Sequence, residues 1–283
     1  MNKTNIVFLI LFLIIFTIII VLFSNKKEEK YDNYDFRIYF FEAGKADAIL
    51  ISDNGKYMMI DTGEESLSNE IISYFKVNKI TELEYLIITH FEKDHVGSAA
   101  SIINNINVKN VLESNYIKES IYYNNYLSAL EDKGITATKV IGNYEISLND
   151  LKIVVNGTDT LFDKNESNNS SLIVSITKNN NKFLFMADAQ NQRIKEFLSN
   201  NSEHYDFVKI PYHGNYLKRL DDLLESINSK YAVLTCSNNE GCESKTIDLL
   251  NKYNIKYYLT KNGSVNVLSD GNNIVIKQWY KDY

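Results

Sequence analysis

Histidine is scarce in this chain, four in 283 residues, and two of them stand in His90-Phe91-Glu92-Lys93-Asp94-His95, interleaved with two carboxylates. The stretch follows Ile87-Ile88-Thr89 and precedes Val96-Gly97, so it closes an apolar, β-branched run. A strand that ends in a polar turn presents side chains at the rim of a sheet. Imidazole nitrogens and carboxylate oxygens crowded there are the donors that hold a divalent metal while leaving a coordination position open. A charged, solvated turn would use the same letters, so the choice depends on partners elsewhere in the chain.

Four further patches supply such partners. Asp47 lies in Phe41-Glu42-Ala43-Gly44-Lys45-Ala46-Asp47-Ala48, and Asp61 in Ile60-Asp61-Thr62-Gly63. Asn168-Asn169-Ser170-Ser171 leads through a strand pair to Met186-Ala187-Asp188-Ala189, and Val208-Lys209-Ile210-Pro211-Tyr212-His213-Gly214 carries a third histidine. Taken singly, Asp61 reads as a turn, Asp188 as a helix N-cap and His213 as a half-buried loop histidine. Each, however, follows an apolar run, where strand-end loops gather at one rim. His204 belongs to no patch and reads as a surface histidine at a helix end.

The elements that must position these residues alternate between strand and helix. Strand-like runs are expected at Arg37–Phe41, Ala48–Ser52, Tyr57–Ile60, Tyr85–Thr89, Val108–Leu112, Leu151–Val155, Leu172–Thr177 and Phe183–Met186. Five more follow at Phe207–Ile210, Tyr231–Thr235, Tyr257–Thr260, Val265–Leu268 and Ile274–Gln278. Helices are expected at Ser68–Phe75 (opened by a Ser N-cap), Ser98–Ile103, Ser120–Leu130, Gln190–Leu198, Leu217–Ile227 and Lys245–Tyr253. Two strand-rich halves broken by helices predict an α/β fold of the αββα sandwich type: two mixed sheets packed face to face with helices outside.

Ahead of this domain, Ile6–Phe23 is 18 residues with no charge and one polar residue, Thr17. That length predicts an N-terminal transmembrane anchor, or an uncleaved signal, over residues 1–23, followed by a charged linker over 24–35 and a hydrolase domain over 36–283. The lysine count alone places the C-terminal side in the cytoplasm. A short basic leader, and Cys236 and Cys242 in a short polar loop that a disulfide could close, point outward; two free thiols remain the other option. The expectation is a single-pass membrane protein with its domain extracytoplasmic. Without residues 1–30 the chain has 26 basic and 34 acidic residues, a net charge of −8, which disfavours a broad nucleic-acid-gripping surface.

In this order the blocks AGKADAIL, DTG, THFEKDHVGS, NNSSLIV, ADA and YHGN resemble the metallo-β-lactamase fold superfamily, and within it the hydrolase domain of ComEC-type DNA-uptake channel proteins. Those domains read approximately VGQGDAIL, DTG, THxDxDHxGG, NNSSLVL, GDA and HHGS. The resemblance spans roughly residues 36–279. It implies one metal position around His90 and Glu92, and a second formed by Asp94, His95 and His213, with Asp188 bridging both. It casts Asp94 and Asp188 as catalytic carboxylates, and Asp47 and Asp61 as groups that orient the histidines behind the ligands. Asn168 stands near the place where relatives supply a further histidine.

Two divalent ions sharing Asp188 would hold a water and lower its pKa toward ~7, the metal-bound hydroxide of such hydrolases. A carboxylate-rich set shifts the preference from zinc toward manganese. Three departures bear on this expectation: Glu92 where ComEC-type domains have Asp, Ala187 for the Gly of GDA, and Tyr212 for the first His of HHGS. The expected function is a metal-dependent phosphodiesterase acting on DNA or nucleotides with one or two zinc or manganese ions. The alternatives are a non-catalytic binding module of the same fold and a hydrolase of a small ester or lactone.

Overall fold

A computed structural model describes residues 34–158 and 167–279. The described residues from Asp35 onward form one compact unit. The expected anchor over 1–23 and most of the linker lie outside the described residues. Among the described residues, no helix is long and apolar enough to cross a membrane.

The first half of the domain runs β1 (Phe36–Phe40), β2 (Ala48–Asp53), β3 (Lys56–Thr62), α1 (Ser68–Val77), β4 (Glu82–Leu83) and β5 (Tyr85–Ile88). It continues through α2 (Lys93–Val96), α3 (Ala99–Asn105), β6 (Asn107–Val108), β7 (Val111–Ser114), α4 (Ile121–Lys133) and β8 (Ala137–Val140). The second half has β9 (Asn143–Leu148), β10 (Leu151–Asn156), β11 (Ile173–Lys178), β12 (Asn181–Phe185), α5 (Asn191–Asn200), β13 (Phe207–Lys209) and α6 (Leu220–Ile227). It ends with β14 (Tyr231–Leu234), α7 (Ser244–Lys252), β15 (Lys256–Leu259), β16 (Val265–Ser269) and β17 (Ile274–Gln278).

One sheet has the order β17-β16-β1-β2-β3-β5-β7-β8 and the other β15-β14-β13-β12-β11-β10-β9, with β4 and β6 forming a small separate pair. Each half begins as an antiparallel meander and continues as parallel strands joined by helices, and β16 and β17 then return as an antiparallel hairpin beside β1 in the first sheet. The Asp61 end of β3 and the Asp188 segment after β12 thus occupy matching places, each at the carboxyl end of the last antiparallel hairpin. Open α/β sheets build their sites at such strand ends.

Burial on both faces explains why these strands read as nearly continuous apolar runs. Along β3, Met58 and Ile60 face the inter-sheet core with Phe36, Ile38, Phe183, Phe185 and Phe207, while Met59 faces the helices with Ile71, Phe75, Ile102 and Tyr126. The second sheet's outer face buries Leu184, Val208 and Ala232 against Ile194, Leu224 and Leu250 of α5, α6 and α7. Each such Ile, Leu or Phe removed from water contributes about 1.5–3 kcal/mol. The result is the predicted four-layer αββα sandwich.

Local departures have local causes. The strands β8 and β9, absent from the sequence-based expectation, lie at sheet edges, and their exposed polar alternation hides them. The run Val108–Leu112 breaks at Lys109-Asn110 into β6 and β7. Ser68 does not cap α1: it is the first helical residue, with Leu67 at the cap position and no side-chain hydrogen bond there. Ser120 does cap α4, its Oγ accepting the Tyr123 N–H at 3.1 Å, and Gly134 closes that helix at φ 64°.

Candidate metal centre

His90-Phe91-Glu92-Lys93-Asp94-His95 is no solvated turn. The backbone leaves β5, makes a short extended bridge and enters α2 at Lys93, which turns Asp94 and His95 back over the sheet rim. His90, Phe91 and His95 are buried. The φ/ψ values at four non-glycine residues around the rim are left-handed: Asp61 at φ 54°, Ala187 at 46°, Tyr212 at 52° and His213 at 54°. Such residues cost about 1–3 kcal/mol each and persist where surrounding structure holds them. Ala187 stands where the resembling blocks carry glycine, and its positive φ shows why glycine suits that position.

Four groups converge. His213 Nε2 lies 3.1 Å from Asp188 Oδ1 and 3.4 Å from Asp94 Oδ2, and His95 Nε2 lies 3.4 Å from Asp188 Oδ1. One ligand atom from each of Asp94, His95, Asp188 and His213 falls within 4.8 Å of all the others. His95 Nε2, His213 Nε2 and Asp188 Oδ1 are buried with no hydrogen-bond partner among the described residues. Buried polar atoms without partners are costly, and three aimed at one point call for a shared occupant. Donors about 2.1 Å from a tetrahedral ion would stand about 3.4 Å apart, so these separations fit a divalent metal.

The groups behind the ligands fix the ring orientations. His95 Nδ1 meets Asp61 Oδ2 at 2.8 Å, and Asp61 in turn accepts the Thr89 N–H at 2.7 Å and the Thr89 hydroxyl at 2.6 Å. With Nδ1–H donated to Asp61, the Nε2 lone pair of His95 faces the ion site. Asp47 was expected to hold a histidine in the same way, but its oxygen lies 3.6 Å from His213 Nδ1. That nitrogen instead donates to the Thr235 carbonyl at 3.0 Å, and the Thr235 hydroxyl donates to Asp47 at 2.6 Å. Asp47 acts one step further back, and its other oxygen pairs with the wholly buried Lys209 ammonium at 2.5 Å.

Charges divide sharply among these groups. Burial opposes charge on His95, yet Asp188 and Asp61 outweigh it and hold its pKa well above the usual imidazole value. Burial likewise opposes charge on His213, and Asp188 and Asp94 outweigh it. Asp188 resists burial through His213 and His95 and stays far below the ordinary carboxylate range. The carboxylates that favour the charged imidazoles are the same ones a divalent ion would meet there. His90 behaves oppositely: burial, then the charge on His95, push its pKa down to about 3.

The remaining expected residues are placed as follows. Asp188 caps no helix, since α5 starts three residues later with Gln190 at its cap position. The Glu92 carboxylate pairs with Lys118 and accepts the Ser167 hydroxyl. Asn168 has a buried amide oxygen without a hydrogen-bond partner among the described residues. His204 is exposed beyond the end of α5. Lys209, Lys118, Thr89 and Thr235 escaped the sequence reading; a lysine inside the buried strand Phe207–Lys209 was the one available signal.

Cys236 and Cys242 form a disulfide, with Cα atoms 5.9 Å apart. The loop it closes braces the His213 turn: the Cys242 N–H bonds the His213 carbonyl at 3.0 Å and the Glu243 N–H bonds the Gly214 carbonyl at 3.0 Å. A side chain at Gly241 would meet the His213 carbonyl oxygen at 2.6 Å, so only glycine lets the loop approach so closely.

A family model described as the metallo-beta-lactamase superfamily matches residues 42–237. ComE operon protein 3 of Bacillus subtilis (strain 168) is 22% identical over 201 residues, covering 69% of this chain and 26% of that protein. The chain thus spans about a quarter of the length of the relative it matches. The metallo-beta-lactamase fold protein YhfI from Bacillus subtilis superposes with a TM-score of 0.56 at 9% identity, over 80% of this chain and 96% of its own. A mutant of the β-hydroxylase CmlA superposes with a TM-score of 0.51 at 16% identity, over 80% and 52%. Such identities speak for the fold alone. The match over residues 42–237, which include every convergent ligand candidate, shows that this chain belongs to the metallo-β-lactamase superfamily.

Proposed function

We propose that the chain is a metal-dependent hydrolase of phosphodiesters, with nucleic acid or nucleotides as its substrate class and zinc or manganese as its ion. The observation that carries this reading is the convergence of Asp94, His95, Asp188 and His213 around three buried donor atoms that have no hydrogen-bond partner among the described residues. A divalent ion held there would neutralise phosphate oxygens and acidify a water beside it. Asp61 and the Thr235 carbonyl keep the lone pairs of His95 and His213 turned inward. Asp94, with 14% of its side chain exposed against 4% for Asp188, borders the opening and is ionised there. Lys45 lies over the Tyr212 ring, 5.9 Å from its centroid, and supplies positive charge beside the site for an anionic substrate.

The test uses the full chain in detergent with zinc or manganese, on single-stranded DNA and bis-p-nitrophenyl phosphate. Turnover is expected, and Asp94→Ala and His213→Ala are each expected to lower it by about 10³-fold, the equivalent of the several kcal/mol an ion supplies. Silence on every phosphodiester with both metals overturns the reading. Hydrolysis of a lactone or small ester alone would move it to that class. The non-catalytic alternative draws on the pairing of Glu92 with Lys118, and ion binding without turnover on any substrate would favour it.

We further propose a single-pass membrane protein with the domain outside. The apolar run Ile6–Phe23 supports the anchor, and the Cys236–Cys242 bridge supports an oxidising compartment. Protease added outside sealed membranes of expressing cells is expected to digest the domain. Protection until the membrane is opened reverses the orientation.

A further inference from the structure

The rim around His90 and Glu92 is built differently from the rim around His213. Both carboxylate oxygens of Glu92 are engaged, Oε2 by the Lys118 ammonium and Oε1 by the Ser167 hydroxyl. Lys118 comes from the loop between β7 and α4, and Ser167 from the single helical turn Ser167–Ser170 before β11. His90 is wholly buried; its Nδ1 lies 3.1 Å from the Thr89 hydroxyl and its Nε2 has no hydrogen-bond partner among the described residues. Among the described residues, His90 and Glu92 belong to neither of the acid–histidine groups compact enough to share an ion.

We infer that this chain holds one ion tightly, and that the Lys118 ammonium takes the place of a second ion beside Glu92. An incoming cation would have to strip Glu92 of two hydrogen-bond donors, one of them charged. It would then sit beside a like charge, the Lys118 ammonium. A fixed ammonium satisfies the same carboxylate with no ion at all. The lysine also leaves positive charge beside Glu92. Its side chain is 42% exposed and that of Glu92 26%, so removing the lysine frees the carboxylate without opening a cavity in the core. The inference rests on the proposed ion site at Asp94, His95, Asp188 and His213.

Counting metal separates the two ideas without recourse to activity. The purified full chain is equilibrated with micromolar zinc or manganese, passed through a desalting column and analysed for metal and protein. Wild type is expected to carry about one ion per chain and Lys118→Met to approach about two, while Lys118→Met combined with Glu92→Gln returns to about one. About two ions in wild type, or no second ion in Lys118→Met, overturns the inference and leaves the main site standing. No ion in any of these proteins overturns the site on which the inference rests.

Discussion

Asp188→Ala is expected to empty the site of its ion and, with it, to remove at least about 10³-fold of metal-dependent turnover. Among the described residues, Asp188 Oδ1 stands within 3.4 Å of Nε2 of both candidate histidines. It follows β12 on the strained Ala187 segment, and the Lys209 ammonium holds the Ala187 carbonyl at 2.9 Å, which fixes where the carboxylate points. The fold itself should survive, because the three sheet-lining clusters do not depend on this side chain. The variant also alters the proton balance. In wild type His95 and His213 both have raised pKa values, and each must lose its proton before it can ligate. Ion binding is therefore expected to release protons, and affinity to rise as pH climbs above the ordinary imidazole range. Acidification returns the protons and expels the ion. Asp188 is the charge that does most to raise both values, so its removal lets burial win and lowers them. Calorimetry in two buffers of different ionisation enthalpy measures the release, and elemental analysis measures the ion. An unchanged ion content in Asp188→Ala, or no proton release in wild type, would sink this account.

The contrast between Asp188 and Glu92 shows which parts of the site were legible in the sequence. Asp94, His95, Asp188 and His213 each follow an apolar run, and strand-end placement is a local property that letters and spacing carry. The duplication that brings the Asp61 and Asp188 segments to matching places is a property of topology, with no repeat in the letters. Glu92 shows the limit. Its neighbours in sequence made it a ligand candidate, but its partners lie 26 and 75 residues away, in loops whose approach no spacing rule predicts. Asp47 shows a milder version: its expected ring contact is relayed through Thr235, 188 residues away. The polar edge strands β8 and β9 were illegible for a different reason. They bury little on one face, so the period-2 apolar signal that marks a strand is weak there.

Lys209→Met is expected to be the most destabilising single change near the site that touches no ligand candidate. The ammonium is wholly buried, pairs with Asp47 at 2.5 Å and donates to the Ala187 carbonyl at 2.9 Å. Methionine fills the same volume but leaves Asp47 charged, buried and short of its cation. Burial drives the Asp47 pKa up, and Lys209, then His213 and His95, are what hold it below the ordinary value. Breaking a buried pair by removing one partner costs about 3–5 kcal/mol, whereas replacing both partners is often close to neutral. In a domain of this size that loss corresponds to a fall of roughly 10 °C in melting temperature. Lys209→Met combined with Asp47→Asn should recover much of it, because the uncompensated charge is then gone. The recovery isolates the charge from the packing, as a double-mutant cycle requires. The double variant should still bind its ion more weakly than wild type, by about 10–100-fold, because a neutral amide holds the Thr235 hydroxyl behind His213 less firmly than the carboxylate does. Thermal melting of the metal-free proteins decides the first part. A single variant that melts within about 2 °C of wild type, or a double variant no more stable than the single, would show that the pair carries no buried-charge penalty.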